Sequence, residues 1–108
     1  MKLVWALLLF STINAQSVNL IKHPYATLGT DTYLTASTSA GDIDNDGDVD
    51  IIVANGRHWS QFNQIFFNDG SGFFRRSKVL GDEANTSYMA PLADIDNDGD
   101  LDIVVAND

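Results

Sequence analysis

A chain of 108 residues with 15 acidic and 6 basic side chains, net charge −9, lacks the basic footprint that nucleic-acid binding requires. It contains no cysteine, which excludes a disulfide framework and thiolate metal sites. Its length suits one domain or less, and no second domain is visible.

The chain opens with a charged Met1-Lys2, an apolar run from Leu3 to Phe10, and the small and polar Ser11-Thr12-Ile13-Asn14-Ala15. Residues 1–15 therefore read as a secretory signal peptide, cleaved between Ala15 and Gln16, with residues 16–108 as the mature domain. The apolar run falls far short of the roughly 20 residues that span a bilayer, so no membrane span is expected. The expected location is secreted: extracellular, periplasmic or on the cell surface. A first strand is predicted around Ser39 to Ile43, leading into an acidic loop, and a second over Val49 to Ala54. The connection Asn55-Gly56-Arg57-His58-Trp59-Ser60-Gln61-Phe62 follows. A third strand is predicted over Gln64 to Phe67. Asn68-Asp69-Gly70-Ser71-Gly72 has the composition of a hairpin turn, and a fourth strand is predicted over Phe73 to Val79. The stretch from Asp82 to Tyr88 reads as a connection, and within it Asn85-Thr86-Ser87 fits a glycosylation sequon.

The acidic loop occurs twice. Asp42, Ile43, Asp44, Asn45, Asp46, Gly47, Asp48, Val49, Asp50 is matched 52 residues later by Asp94, Ile95, Asp96, Asn97, Asp98, Gly99, Asp100, Leu101, Asp102. Two carboxylates about 4 Å apart repel by about 4 kcal/mol at a near-surface effective dielectric, so a cation is expected between them. Every donor is a hard oxygen, which points to calcium over zinc or copper, and a loop wrapping one ion suits calcium better than magnesium. Asp42, Asp44 and Asp46, with Asp94, Asp96 and Asp98, are predicted carboxylate ligands. Asp48 and Asp100 are predicted to offer main-chain carbonyls, with their side chains toward solvent, and Asp50 and Asp102 to add a further carboxylate. Gly47 and Gly99 stand where the chain must turn sharply and a Cβ would obstruct it. Position 12 of the loop is Val53 or Val105, not the glutamate of an EF-hand, and each loop feeds a short β-branched run instead of a helix.

The 52-residue offset also aligns Thr27-Leu28-Gly29 with Val79-Leu80-Gly81, and Ala54-Asn55 with Ala106-Asn107. A period near 50 with four antiparallel strands per repeat is the signature of propeller blades. Both loops, the strand after each, and Ile65-Phe66-Phe67-Asn68-Asp69-Gly70-Ser71-Gly72-Phe73 resemble the FG-GAP/VCBS repeat family. That resemblance implies an all-β fold, calcium-bearing β-propeller blades, and an extracellular setting such as the head of integrin α chains. About one and a half to two blades are present. The propeller is therefore expected to be incomplete, and the chain to be the N-terminal fragment of a longer protein.

In an up-and-down blade, the connection after strand two shares an end with the connection after strand four, opposite the metal loop. Arg57, His58, Trp59 and Tyr88 could there stack on or hydrogen-bond a sugar or a peptide. The alternative packs Trp59 and Phe62 between blades and leaves Arg57 and His58 solvated. Arg75, Arg76 and Lys78 read as a solvated strand face. With the carboxylates committed to metal, nothing supports acid–base, nucleophilic or redox chemistry. The expected function is a non-catalytic binding or adhesion module for an extracellular protein or carbohydrate ligand. The alternative is an accessory propeller domain of a larger secreted enzyme.

Overall fold

The computed structural model describes residues 27–108, so the expected signal peptide, residues 1–15, lies outside the described residues. Every regular element among them is a strand, and none of them forms a helix long and apolar enough to cross a membrane. β1 (Thr35–Gly41), β2 (Asp50–Asn55), β3 (Gln61–Phe67) and β4 (Arg76–Asn85) form one antiparallel sheet in chain order. This is the four-stranded blade expected from the sequence. β5 (Ser87–Met89) pairs with β8 (Ala106–Asn107), and β6 (Leu92–Ala93) with β7 (Asp102–Ile103).

The second set of pairs copies the first at the 52-residue offset. Thr35 faces Asn55 as Ser87 faces Asn107, and Gly41 faces Asp50 as Ala93 faces Asp102. The register irregularity after Thr35 recurs after Ser87. The stretch Leu101 to Ala106, expected as one strand, is instead interrupted. Pro91 stands opposite the break; its carbonyl accepts from Val104 N at 3.1 Å, but proline has no N–H to return a bond.

The strand boundaries differ from expectation: the second strand spans Asp50 to Asn55, and the third starts at Gln61, inside the stretch read as a connection. The first strand spans Thr35 to Gly41 and leaves Asp42 and Ile43 to the loop, because Ile43 N–H donates to the Asp50 carboxylate at 3.0 Å. The fourth starts at Arg76, not Phe73, because the hairpin is wider than five residues. Asp69 N–H closes it onto the Phe73 carbonyl at 3.1 Å, and Asn68 Oδ1 accepts from the N–H groups of Gly70 and Gly72. The hydroxyl and N–H of Ser71 both donate to Asp69, holding its carboxyl below the usual carboxylate range. β4 then continues to Asn85, so Asp82 to Asn85 are strand and not connection.

Alternation along β2 sends Ile52 and Ala54 to one face, where Ile65 joins them from β3 and Ala90 from the second repeat. Phe67, Leu80, Leu92, Ile103 and Val105 pack around this cluster. Full burial of one such aliphatic side chain is worth about 1.5–3 kcal/mol, so the core lies between the blade and the strand pairs that follow it. Val53 and Phe66 are buried on the opposite face, beside Leu28 and Tyr33. Both faces of β2 are therefore covered, and its polar ends, Asp50 and Asn55, are fully buried as well.

Candidate metal centre

The loop between β1 and β2 is organised by its own carboxylates. Asp42 accepts from Asp46 N–H at 3.1 Å through one oxygen and from Gly47 N–H at 3.0 Å through the other. Asp46 accepts from Asp48 N–H at 3.0 Å. Asp50 accepts from Ile43 N–H through Oδ2 and from Asn68 N–H at 2.9 Å through Oδ1. The second loop repeats the pattern. Asp94 accepts from Asp98 and Gly99, Asp98 from Asp100, and Asp102 from Ile95 at 2.9 Å. Asn45 and Asn97 adopt left-handed φ values of 57° and 61°, which asparagine tolerates better than most residues.

Gly47 and Gly99 have φ of 93° and 98°, so the sharp turn read from the sequence is present. The reason differs from the one expected. A Cβ at either position would meet nothing within 4 Å, so the requirement is backbone conformation and not space.

The result is a converging set of oxygens at each loop. Asp42, Asp44 and Asp50 each bring a carboxylate oxygen within 4.8 Å of the others, as do Asp94, Asp96 and Asp102. Asp46, Asp48, Asp98 and Asp100 are not in these groups. Asp46 and Asp98 are engaged with main-chain N–H groups in their own loops. Asp48 lies against Gly70 of the hairpin, and Asp100 accepts from Asn45 Nδ2 at 2.5 Å. Asp100 thus joins the second loop to the first, where solvent had been expected. Asp50 is the most demanding member, a carboxylate with no exposed surface that no ion pair reaches among the described residues. Two N–H donors compensate part of its desolvation, and a cation beside it would offset more of it. An all-oxygen donor set around it fits a hard cation.

Three features of the blade were not read from the sequence. The hairpin after β3 packs on the first loop, with Asn68 bonding both Asp50 and the Val49 carbonyl. Both turns lie at one end of an up-and-down sheet, so topology alone could have paired them. Arg76, expected on a solvated face, bonds the Asp44 carboxylate and stacks on the Phe67 ring at 4.1 Å. A polar chain buried at its middle also crosses the opposite end of the blade: Thr35 donates to Asn55, Asn63 accepts from Asn55 N–H and donates to Ser87, and Ser87 donates to Asn107.

At that opposite end, Gly56 N–H donates to the Leu34 carbonyl at 2.9 Å and Trp59 N–H closes a turn onto Gly56 at 3.2 Å. Trp59 is 70% exposed and Phe62 37% exposed. Among the described residues neither aromatic is buried against the second repeat. Tyr88 is exposed too, one residue after the buried Ser87.

No curated protein and no solved structure matches the chain significantly. The model of the FG-GAP-like repeat family matches residues 42–105, from the first aspartate of the first loop to the apolar stretch after the second. With both acidic loops and the strands from β2 to β7 inside that match, the chain belongs to the FG-GAP-like repeat family.

Proposed function

We propose that this chain is a secreted, calcium-binding β-propeller repeat module without catalytic activity, serving to bind an extracellular protein or carbohydrate. The observation that carries the calcium reading is the fully buried Asp50 carboxylate, converging with Asp42 and Asp44 in a loop whose donors are all oxygen. Asp94, Asp96 and Asp102 form the equivalent set in the second loop. Asp46 and Asp98, with the main-chain carbonyls of Asp48 and Asp100, are the further ligands we assign from loop position. A bound calcium ion would offset the mutual repulsion of these carboxylates and fix each loop against its strand pair. Sites of the extracellular-module kind bind with Kd on the order of 10⁻⁴ to 10⁻³ M, which extracellular calcium satisfies.

Recognition is assigned to the end opposite the loops, where Arg57, His58, Trp59 and Tyr88 are all exposed. An exposed indole beside hydrogen-bonding side chains suits stacking on a sugar face or a peptide. Residues 1–15 are read as the export signal. Isothermal titration with calcium chloride is the primary test: heat from two sites supports the reading, and a flat titration at millimolar calcium ends it. N-terminal sequencing of exported protein should begin at Gln16.

A further inference from the structure

We propose that Arg76 is a built-in competitor for the cation at the first loop and lowers that loop's calcium affinity, an inference that rests on the calcium reading above. Arg76 is the first residue of β4 and stands directly opposite Phe67, the last of β3. The register therefore fixes where its side chain starts. The guanidinium lies over the Phe67 ring at 4.1 Å and bonds Asp44 Oδ2, so two unrelated contacts hold it at the loop. Exposed arginine–carboxylate pairs ordinarily fluctuate, but stacking on a half-buried ring restricts this one.

Asp44 is one of the three carboxylates that converge in the first loop. A guanidinium remains charged at any physiological pH, so it both occupies a lone-pair direction of that carboxylate and repels a divalent ion bound beside it. A unit charge about 5 Å from a divalent ion, in water-like dielectric, changes affinity by about tenfold. The second loop has the same ligand sequence and serves as an internal reference. Asp96 accepts from Asp98 N–H at 3.3 Å, and among the described residues no arginine or lysine pairs with it. The contacts of Asn68 with Val49 and Asp50 do not involve Arg76, so they persist when its charge is removed. The first loop's threshold is thereby set in part by a residue outside it.

The test is a calcium chloride titration of the full ¹⁵N-labelled chain, following the Gly47 and Gly99 amides, which report the two loops separately. In Arg76→Gln the Gly47 midpoint should fall about tenfold in calcium concentration while the Gly99 midpoint stays in place. Arg76→Lys, which keeps the charge, should remain near the wild-type midpoint. Arg76→Met retains an unbranched apolar stem against Phe67, so it should match the glutamine variant even if the latter loosens β4. A Gly47 midpoint that is unchanged or raised in Arg76→Met overturns the proposal. If neither amide of the wild-type chain responds to calcium, the calcium reading itself fails and the proposal falls with it.

Discussion

The side-chain amide of Asn63 donates to the hydroxyl of Ser87 at 2.9 Å, tying the third strand of the blade to the first strand of the next repeat. Each repeat supplies the same partners around this contact. Thr35 donates to Asn55 at 2.9 Å, and their counterparts Ser87 and Asn107 make the same bond at 2.7 Å. The main chain repeats it too, since Gly56 N–H reaches Leu34 as Asp108 N–H reaches Thr86 at 3.0 Å. Polar residues thus hold one end of adjacent repeats together, as the acidic loops organise the other.

Asn63 is consequently expected to be costly to remove. Asn63→Ala leaves the buried Asn55 N–H and the buried Ser87 hydroxyl each short of a partner, a loss of roughly 2–4 kcal/mol. Ser37 is the contrasting case, because its hydroxyl is buried without a hydrogen-bond partner among the described residues. Ser37→Ala should leave stability unchanged or slightly raised. Chemical denaturation of the two variants side by side checks this, and equal losses would contradict the assignment.

Gly56 is expected to be irreplaceable for two separable reasons. Its φ of 93° strains any residue with a Cβ, at about 1–2 kcal/mol. A Cβ would also come within 2.7 Å of the Trp59 carbonyl and 2.9 Å of Gln61 N, besides meeting the Asn85 carbonyl. These are backbone atoms and cannot swing aside. Gly56→Ala should therefore cost about 3 kcal/mol or more, read from the denaturation midpoint.

How much of this was legible in sequence depended on the range of the interaction. The acidic loops, their glycines and the strand after the first loop were readable because ligand spacing and β-branched runs are local patterns. The blade itself followed from the 52-residue period. The interruption at Pro91 could have been anticipated, since proline removes a ladder donor wherever a strand would otherwise continue. What remained hidden was long-range pairing of ordinary residues. Nothing local distinguishes Arg76 from Arg75, yet the register opposite Phe67 carries one to Asp44, while the other lies 3.7 Å from Asp69. Asn63 and Ser87 likewise acquire meaning only once the strands are aligned.

Trp59 is expected to matter for recognition and not for folding. With 70% of its surface exposed on the Gly56 turn, Trp59→Ala should shift stability by no more than about 0.5 kcal/mol. Binding of immobilised glycans or extracellular-matrix proteins to the wild-type chain, weakened in this variant at unchanged melting temperature, is the expected outcome. A large loss of stability would show that the indole is structural.

The first loop allows folding and metal binding to be separated, because its carboxylates carry different duties. Asp50 is fully buried and accepts from Ile43 and Asn68, so it organises both the loop and the hairpin whether or not an ion is present. Among the described residues Asp44 accepts only from Arg76, across an exposed pair whose contribution is at most about 1 kcal/mol. Asp50→Ala should therefore cost about 3 kcal/mol or more in EDTA, where no metal contributes. Asp44→Ala should be within about 1 kcal/mol of wild type in EDTA. Calcium should then separate Asp44→Ala from the wild type. At a hundredfold excess over Kd one site adds about 2.7 kcal/mol of stability, and this variant should lose that increment at the first loop while keeping the one from the second. Thermal melts of the three proteins with EDTA and with saturating calcium resolve the scheme. Equal calcium gains in Asp44→Ala and the wild type would remove Asp44 from the ligand set. A small loss for Asp50→Ala in EDTA would instead show that the buried carboxylate serves the ion alone.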